Sequence, residues 1–285
     1  MHPREYIQNI RYQSQVTDRS SLNQRRQREI METKLPRVVY HPLYMENYRT
    51  ASVERPARLR PILDELVAYQ PFVTPETAKD EDILLVHSPS LVEEVKRDKL
   101  LYQVATMAAG GALTAADLAL AGEPAFGLLR PPGHHAGPSN HWGFCFFNNV
   151  AIAVEKLIRI GRINRAFILD IDLHFGDGTD NFFQGREDVT VHNVEARERQ
   201  EYLDEVTQAL NGIQATDLVA VSAGFDTYAK DWGGILDIED YATVARLVKA
   251  AADTHCSGHR FALLEGGYYL EDLGKNVAAF LRGFA

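Results

Sequence analysis

Between Ala166 and Gly178 an apolar run ends in a cluster of ionisable residues. Asp170, Asp172 and His174 alternate with Ile171 and Leu173, and Asp177 follows between Gly176 and Gly178. Residues two apart on an extended strand share a face, so the spacing predicts a strand over 166–174 with three polar side chains pointing one way. Two carboxylates at the end of an apolar strand stay charged only beside a cation or several hydrogen-bond donors. Carboxylates and an imidazole converging on one point make half of a divalent-metal site. The competing reading is a strand end whose acids cap neighbouring loops.

Three other stretches have the same character. Arg130-Pro131-Pro132-Gly133-His134-His135-Ala136-Gly137, Ser222-Ala223-Gly224-Phe225-Asp226 and Glu265-Gly266-Gly267-Tyr268 each follow an apolar run. The chemistry that fits all four is metal-assisted hydrolysis. Asp172, His174 and Asp226 offer two anionic oxygens and one imidazole nitrogen, which neutralise a divalent ion and leave coordination positions open. An open position can hold a water of lowered pKa and polarise a carbonyl. A base that works near neutral pH is then required, and His134 or His135 offers it. Asp170 and Asp177 remain to orient the two imidazoles. Tyr268, on a Gly-Gly turn, can donate to a developing oxyanion. No Ser or Cys sits in a nucleophile-elbow context, which disfavours a covalent acyl-enzyme, and Cys145 beside Phe144 reads as a small apolar group.

These residues need a scaffold that brings four chain segments to one place. Apolar strands are expected at 37–40, 125–129, 166–174, 189–193, 217–222 and 261–265, with residues 81–87 running from a helix into a further strand. Helices are expected near 54–63, 90–101, 105–121, 147–160, 202–210, 241–252 and 270–281. This alternation predicts an α/β fold whose parallel sheet is covered on both faces. Ligands in such sheets bind beyond the carboxyl ends of the strands, where the polar clusters fall. Residues 1–36 are polar and rich in Arg and Gln and read as an appended arm, leaving residues 37–285 for the folded part. The 285 residues are 45% hydrophobic and 24% charged, with net charge −9. That sign gives no electrostatic reason to bind nucleic acid or an anionic membrane surface. Two cysteines are too few for a disulfide framework. No apolar run is long enough to span a bilayer and the N-terminus shows no signal pattern, so a cytoplasmic address is expected.

Together these motifs, with Gly143-Phe144-Cys145-Phe146-Phe147-Asn148-Asn149, resemble the zinc-dependent histone deacetylase family, which includes acetylpolyamine amidohydrolases and acetoin-utilisation proteins. The resemblance implies the arginase/deacetylase fold: one three-layer α/β/α catalytic domain over 37–285 on a largely parallel eight-stranded sheet. It makes Asp172, His174 and Asp226 the zinc ligands, with iron(II) or cobalt able to use the same set. His135 becomes the general base, His134 its electrostatic partner, Asp170 and Asp177 their hydrogen-bonding carboxylates, and Tyr268 the carbonyl-polarising donor. It assigns Gly143 and Phe144 to the acyl tunnel. It also implies a structural potassium held by Asp170, Asp172 and His174 with Thr190 and Val191 of the neighbouring strand. The implied substrates are acetylated lysine in a peptide or protein, or an acetylated polyamine-like amine; a homo-oligomer is compatible with the pattern. The chain departs from its relatives in its shortened rim after Asn193 and in Trp142 before Gly143, which predicts a shallower or differently walled pocket, partly rebuilt by Trp142, by the N-terminal arm or by a partner subunit. Two alternatives stand beside this reading: a catalytically weak metal-binding module that recognises acylated amines, and a binuclear manganese hydrolase, which needs more bridging carboxylates than these motifs hold.

Overall fold

Six short apolar runs pair into one sheet: β1 (Arg37–Val39), β2 (Ala125–Gly127), β3 (Ala166–Asp170), β4 (Val189–Asn193), β5 (Leu218–Ala223) and β6 (Arg260–Leu264). The computed structural model describes residues 35–285, so the arm expected over 1–36 lies, but for its last two residues, outside the described residues. The strand order is β1-β2-β6-β5-β3-β4, and every neighbouring pair is parallel. Every residue of β3, β5 and β6 is buried, whereas the edge strand β4 buries only Val189. Strands covered on both faces read as unbroken apolar runs, which is why these three are rich in Val, Leu, Ile and Phe. Each such side chain stabilises the fold by about 1.5–3 kcal/mol.

Helices cover both faces. Lys99–Leu120 packs on Asn149–Arg159 in one group, and Leu270–Phe284 packs on Ile238–His255 and Leu59–Glu65 in another, with β5 touching a helix of each. The helices expected over 90–101 and 105–121 divide elsewhere, into Pro89–Lys96 and an unbroken Lys99–Leu120. The division falls at Asp98, whose carboxylate accepts from the Leu100 and Leu101 amides at 3.1 Å and so starts a new helix. No helix among the described residues is long and apolar enough to cross a membrane.

The expected α/β architecture holds, with one correction: among the described residues the sheet has six strands, not eight. Residues 84–87 form no strand. The amides of Leu84 to His87 bond back to carbonyls of the helix Asp80–Ile83, leaving none for a ladder. Val73 contributes only an isolated bridge to Val39.

The strand expected over 166–174 also stops early, at Asp170. Asp170 Oδ1 accepts from the Asp172 amide and Asp172 Oδ1 from the His174 amide, both at 3.0 Å. Such side-chain bonds to an amide two residues on curl the backbone, so the three polar residues converge through turns rather than through strand alternation. The register aligns Asp170 with Ser222 and Ala223 with Leu264, which brings the ends of β3, β5 and β6 level.

Candidate active site

At these level strand ends, Asp226 follows β5 and is completely buried, with Oδ1 accepting from the Leu173 amide at 3.0 Å. Asp172 is buried beside it, and its Oδ2 accepts from the Gly266 amide at 2.8 Å. A side chain at Gly266 would place its Cβ 2.6 Å from that oxygen, so glycine is what lets the turn after β6 reach the site. One ligand atom each from Asp172, His174 and Asp226 lies within 4.8 Å of the others. His174 Nδ1 is 3.2 Å from Asp172 Oδ1 and 3.0 Å from Asp226 Oδ2, yet Asp226 Oδ2 is buried without a hydrogen bond.

One ring nitrogen cannot satisfy both carboxylates, whereas a divalent cation can. The electrostatics agree. The Asp172 and Asp226 carboxylates push the His174 imidazole up to about 10, so a proton occupies the place of positive charge. Burial and the charge of Asp172 push Asp226 up to about 7. Burial works against ionised Asp172, but His134 and His174 outweigh it and hold the carboxyl below its usual range. Two carboxylates and an imidazole form a donor set that fits a divalent metal.

The tandem histidines lie above this cluster. Asn148 pins their loop: its Nδ2 donates to Ala136 O and to Thr179 Oγ1, both at 3.0 Å, while its Oδ1 caps the next helix at the Ala151 amide. His134 Nδ1 is 3.0 Å from Asp170 Oδ2, and His135 Nδ1 is 2.7 Å from Asp177 Oδ1. Their environments push the two rings apart. Burial opposes charge on His134, but Asp170 and Asp172 outweigh it and hold its pKa well above the usual value. Burial, assisted by His134, takes His135 down to about 4. The surroundings thus push His134 toward its charged form and His135 toward its neutral form, the kind of separation that assigns different roles to paired groups.

Tyr268 enters from the turn after β6. Burial raises its pKa against the opposing charge of Arg58, so the phenol stays protonated at neutral pH and able to donate. Arg58, fully buried, donates to Gly267 O at 2.7 Å and Glu265 O at 2.6 Å and lies 4.8 Å from the Tyr268 ring centre. Glu54 joins Arg58 at 3.3 Å to buried Arg130 at 2.7 Å. Glu265 Oε2 accepts from the amides of Gly133 and His134. In the sequence, Glu54, Arg58, Arg130 and Glu265 stand only as helix-starting and motif positions; Glu54 and Arg58, in one run with Arg55 and Arg60, carry no local mark of burial, and such buried charges fold only when paired.

A cavity of about 110 Å³ opens onto the cluster, with His135, Trp142, Gly143, Phe144, His174 and Tyr268 in its lining. Trp142 stands in the wall. Trp232, which sequence reasoning missed, completes it: the indole stacks on Tyr268 at 4.1 Å and meets the His174 ring edge-on at 5.8 Å. Phe144 stands edge-on to Tyr268 at 6.1 Å. Thr190 and Val191 do not join the site. The register sets them beside Phe167 and Ile168, three and two residues short of Asp170, which is roughly 7–10 Å along a strand. Thr190 instead lines a larger cavity of about 230 Å³ with Arg165 and Asp188, where no metal-ligating cluster occurs among the described residues. A second close group, His134, Cys145 and Glu265, is present. There burial holds the Cys145 thiol protonated and Glu265 already receives two amides.

This fold and these strand ends define a class. A histone deacetylase domain profile matches residues 52–202 and 193–284, and the chain belongs to the histone deacetylase family. It is 30% identical to a probable deacetylase of Methanothermobacter thermautotrophicus over 86% of this chain and 89% of that protein. It is 31% identical to the acetylpolyamine amidohydrolase of Mycoplana ramosa over 65% and 63%. The crystal structure of the HDA15 HD domain superposes with a TM-score of 0.74 at 22% identity, covering 89% of this chain and 91% of the other. The chain is accordingly a deacetylase-type amidohydrolase, a hydrolase acting on amide bonds, and its family implies a metal cofactor.

Proposed function

We propose that this protein, through one catalytic domain over 37–285, is a zinc-dependent deacetylase that removes acetyl or another short acyl group from an acylated lysine or polyamine-like amine. The observation that carries the reading is the convergence of Asp172, His174 and Asp226 beneath two histidine–carboxylate pairs and a protonated tyrosine. Those three side chains would hold the ion. When bound, it supplies Lewis acidity to the acyl carbonyl and acidifies water.

The chain's own groups do the rest. His135, neutral and held at Nδ1 by Asp177, accepts the proton of attacking water at Nε2 and returns it to the departing amine. His134, charged beside Asp170, offsets the negative charge that develops on the carbonyl oxygen. The Tyr268 hydroxyl donates to the same oxygen. Phe144, Trp142 and Trp232 flank the acyl chain with aromatic surface. The two cysteines are buried and unpaired, which suits the reducing cytoplasmic setting we assign.

The direct test is turnover of an acetyl-lysine peptide and of an N-acetylated polyamine by parent and His135→Ala protein, each loaded with zinc. Loss of a general base lowers turnover by about 10²–10⁴-fold. Unchanged turnover in His135→Ala overturns the mechanism. Stoichiometric zinc with no turnover of any acylated amine overturns the function.

A further inference from the structure

Trp142 is half exposed, yet its contacts are as specific as those of a buried residue. Its indole N–H points at both oxygens of Asp177, 3.1 Å from Oδ1 and 2.9 Å from Oδ2. The same indole lies over the His135 ring, with centroids 4.0 Å apart and planes inclined by 32°. Local backbone arranges this. Gly143 and Phe144 both have positive φ, 57° and 67°, and the Cys145 amide bonds back to Trp142 O at 3.0 Å. The turn thereby folds Trp142 back over the histidine.

Asp177 shows why this matters. Its side chain is 45% exposed, whereas that of Asp170, which serves His134, is 1% exposed. A carboxylate so open to water is free to rotate and trade its bond to His135 for solvent. Walls of protein immobilise Asp170; at Asp177 the indole does so, supplying a donor that spans both oxygens and a lid over the imidazole beside them. We propose that Trp142 is a positioning residue for His135: it fixes the plane of Asp177, secures the Nδ1–H form of the ring and so keeps Nε2 available to the substrate. This rests on the reading of His135 as general base and adds to it a residue that touches neither metal nor reacting atoms.

A residue that merely walls the pocket would act on substrate affinity; a positioning residue acts on turnover. Two replacements separate the indole's two functions. Trp142→Phe keeps an aromatic face and removes the N–H, and incorporation of 3-benzothienylalanine at position 142 keeps the size and shape of the indole while replacing only its N–H. Both are expected to lower kcat about tenfold, the scale of losing a partner that orients an active-site ligand, with KM changed less than about twofold. In a His135→Ala background neither should lower kcat further, because the pathway runs through His135.

A readout independent of turnover is the His135 Nδ1 proton in the ¹⁵N-correlated NMR spectrum of metal-free and zinc-loaded protein. It should be slow to exchange in the parent and exchange-broadened in both replacements. A raised KM at parental kcat, or an unaltered Nδ1 signal in the benzothienyl protein, overturns the proposal. Parental kcat in His135→Ala overturns the base assignment itself, an outcome distinct from parental kcat in Trp142→Phe with His135→Ala inactive.

Discussion

The floor of the pocket and its mouth are built on opposite plans. At the floor, Glu54, Arg58, Arg130, Asp172 and Asp226 are almost wholly buried, and each is constrained by partners on other chain segments. At the mouth, Trp142 and Trp232 expose about half their surface; Trp142 lies over His135 and donates to Asp177, and Trp232 packs between Tyr268 and His174. Buried charge tolerates no slack, because an unpaired partner leaves a charge in low dielectric. Stacked aromatics permit small adjustments, each pair contributing about 0.5–1.5 kcal/mol. Paired buried charge thus fixes the floor, while aromatic contacts that can adjust form the walls above it.

The contrast breaks first if the floor yields cheaply. Glu54→Ala strands Arg58 and Arg130, and should cost about 3–5 kcal/mol, read as a large fall in Tm; a melting curve matching the parent would show that the floor is not held by paired charge. Tyr268→Phe should leave Tm nearly unchanged but lower kcat by about 10²–10³-fold, the effect of removing one oxyanion donor. A loss confined to KM would move Tyr268 from floor to mouth.

A third test concerns the support of the histidine loop. Buried His87 donates from Nδ1 to Gly137 O at 2.9 Å and accepts at Nε2 from the Asn148 amide at 2.8 Å, so only the neutral ring fits. Burial takes its pKa from 6.5 down to about 4. Because the folded value is the lower one, its stability contribution is present above pH 6.5 and is lost as pH falls towards 4. Metal-free protein should lose up to about 3 kcal/mol across that window, and His87→Asn should flatten this limb in chemical-denaturation curves; an identical pH profile for the variant would remove His87 from the loop's support. The smallest effect belongs to the mouth. Trp232→Ala should shift preference between short and longer acyl groups by about 1 kcal/mol, several-fold in kcat/KM. A larger collapse of kcat would mean that Trp232 serves Tyr268 rather than the substrate.

The two regions also differed in how far they could be read from residues alone. Asp172, His174, Asp226, His134, His135 and Tyr268 stand in motifs whose spacing reaches one point because strand ends of a parallel sheet are level, and the structure brings them together. The route was misread locally: side-chain bonds from Asp170 and Asp172 replace the strand expected past Asp170. The resemblance implies a cation site that includes Thr190 and Val191, but the register, which a single strand's sequence does not encode, sets them beside Phe167 and Ile168 rather than Asp170. Trp232 was invisible because a lone tryptophan in a loop carries no periodicity. Its place beside Tyr268 depends on contact between the loop after β5 and the turn after β6.

The position of β6 carries one more consequence. This strand, formed from residues 260–264, lies between β2 and β5, and so joins β1–β2 to β5–β3–β4. During synthesis the earlier strands can assemble only as two separate ladders until β6 emerges. The turn after it brings the amide that restrains Asp172 and the tyrosine of the pocket. Long-range pairing of this kind is slow, because loop closure must precede its reward. The deacetylase is therefore finished by a single late insertion, and a nascent chain short of residues 260–268 has Asp172, His174 and Asp226 but no completed pocket around them.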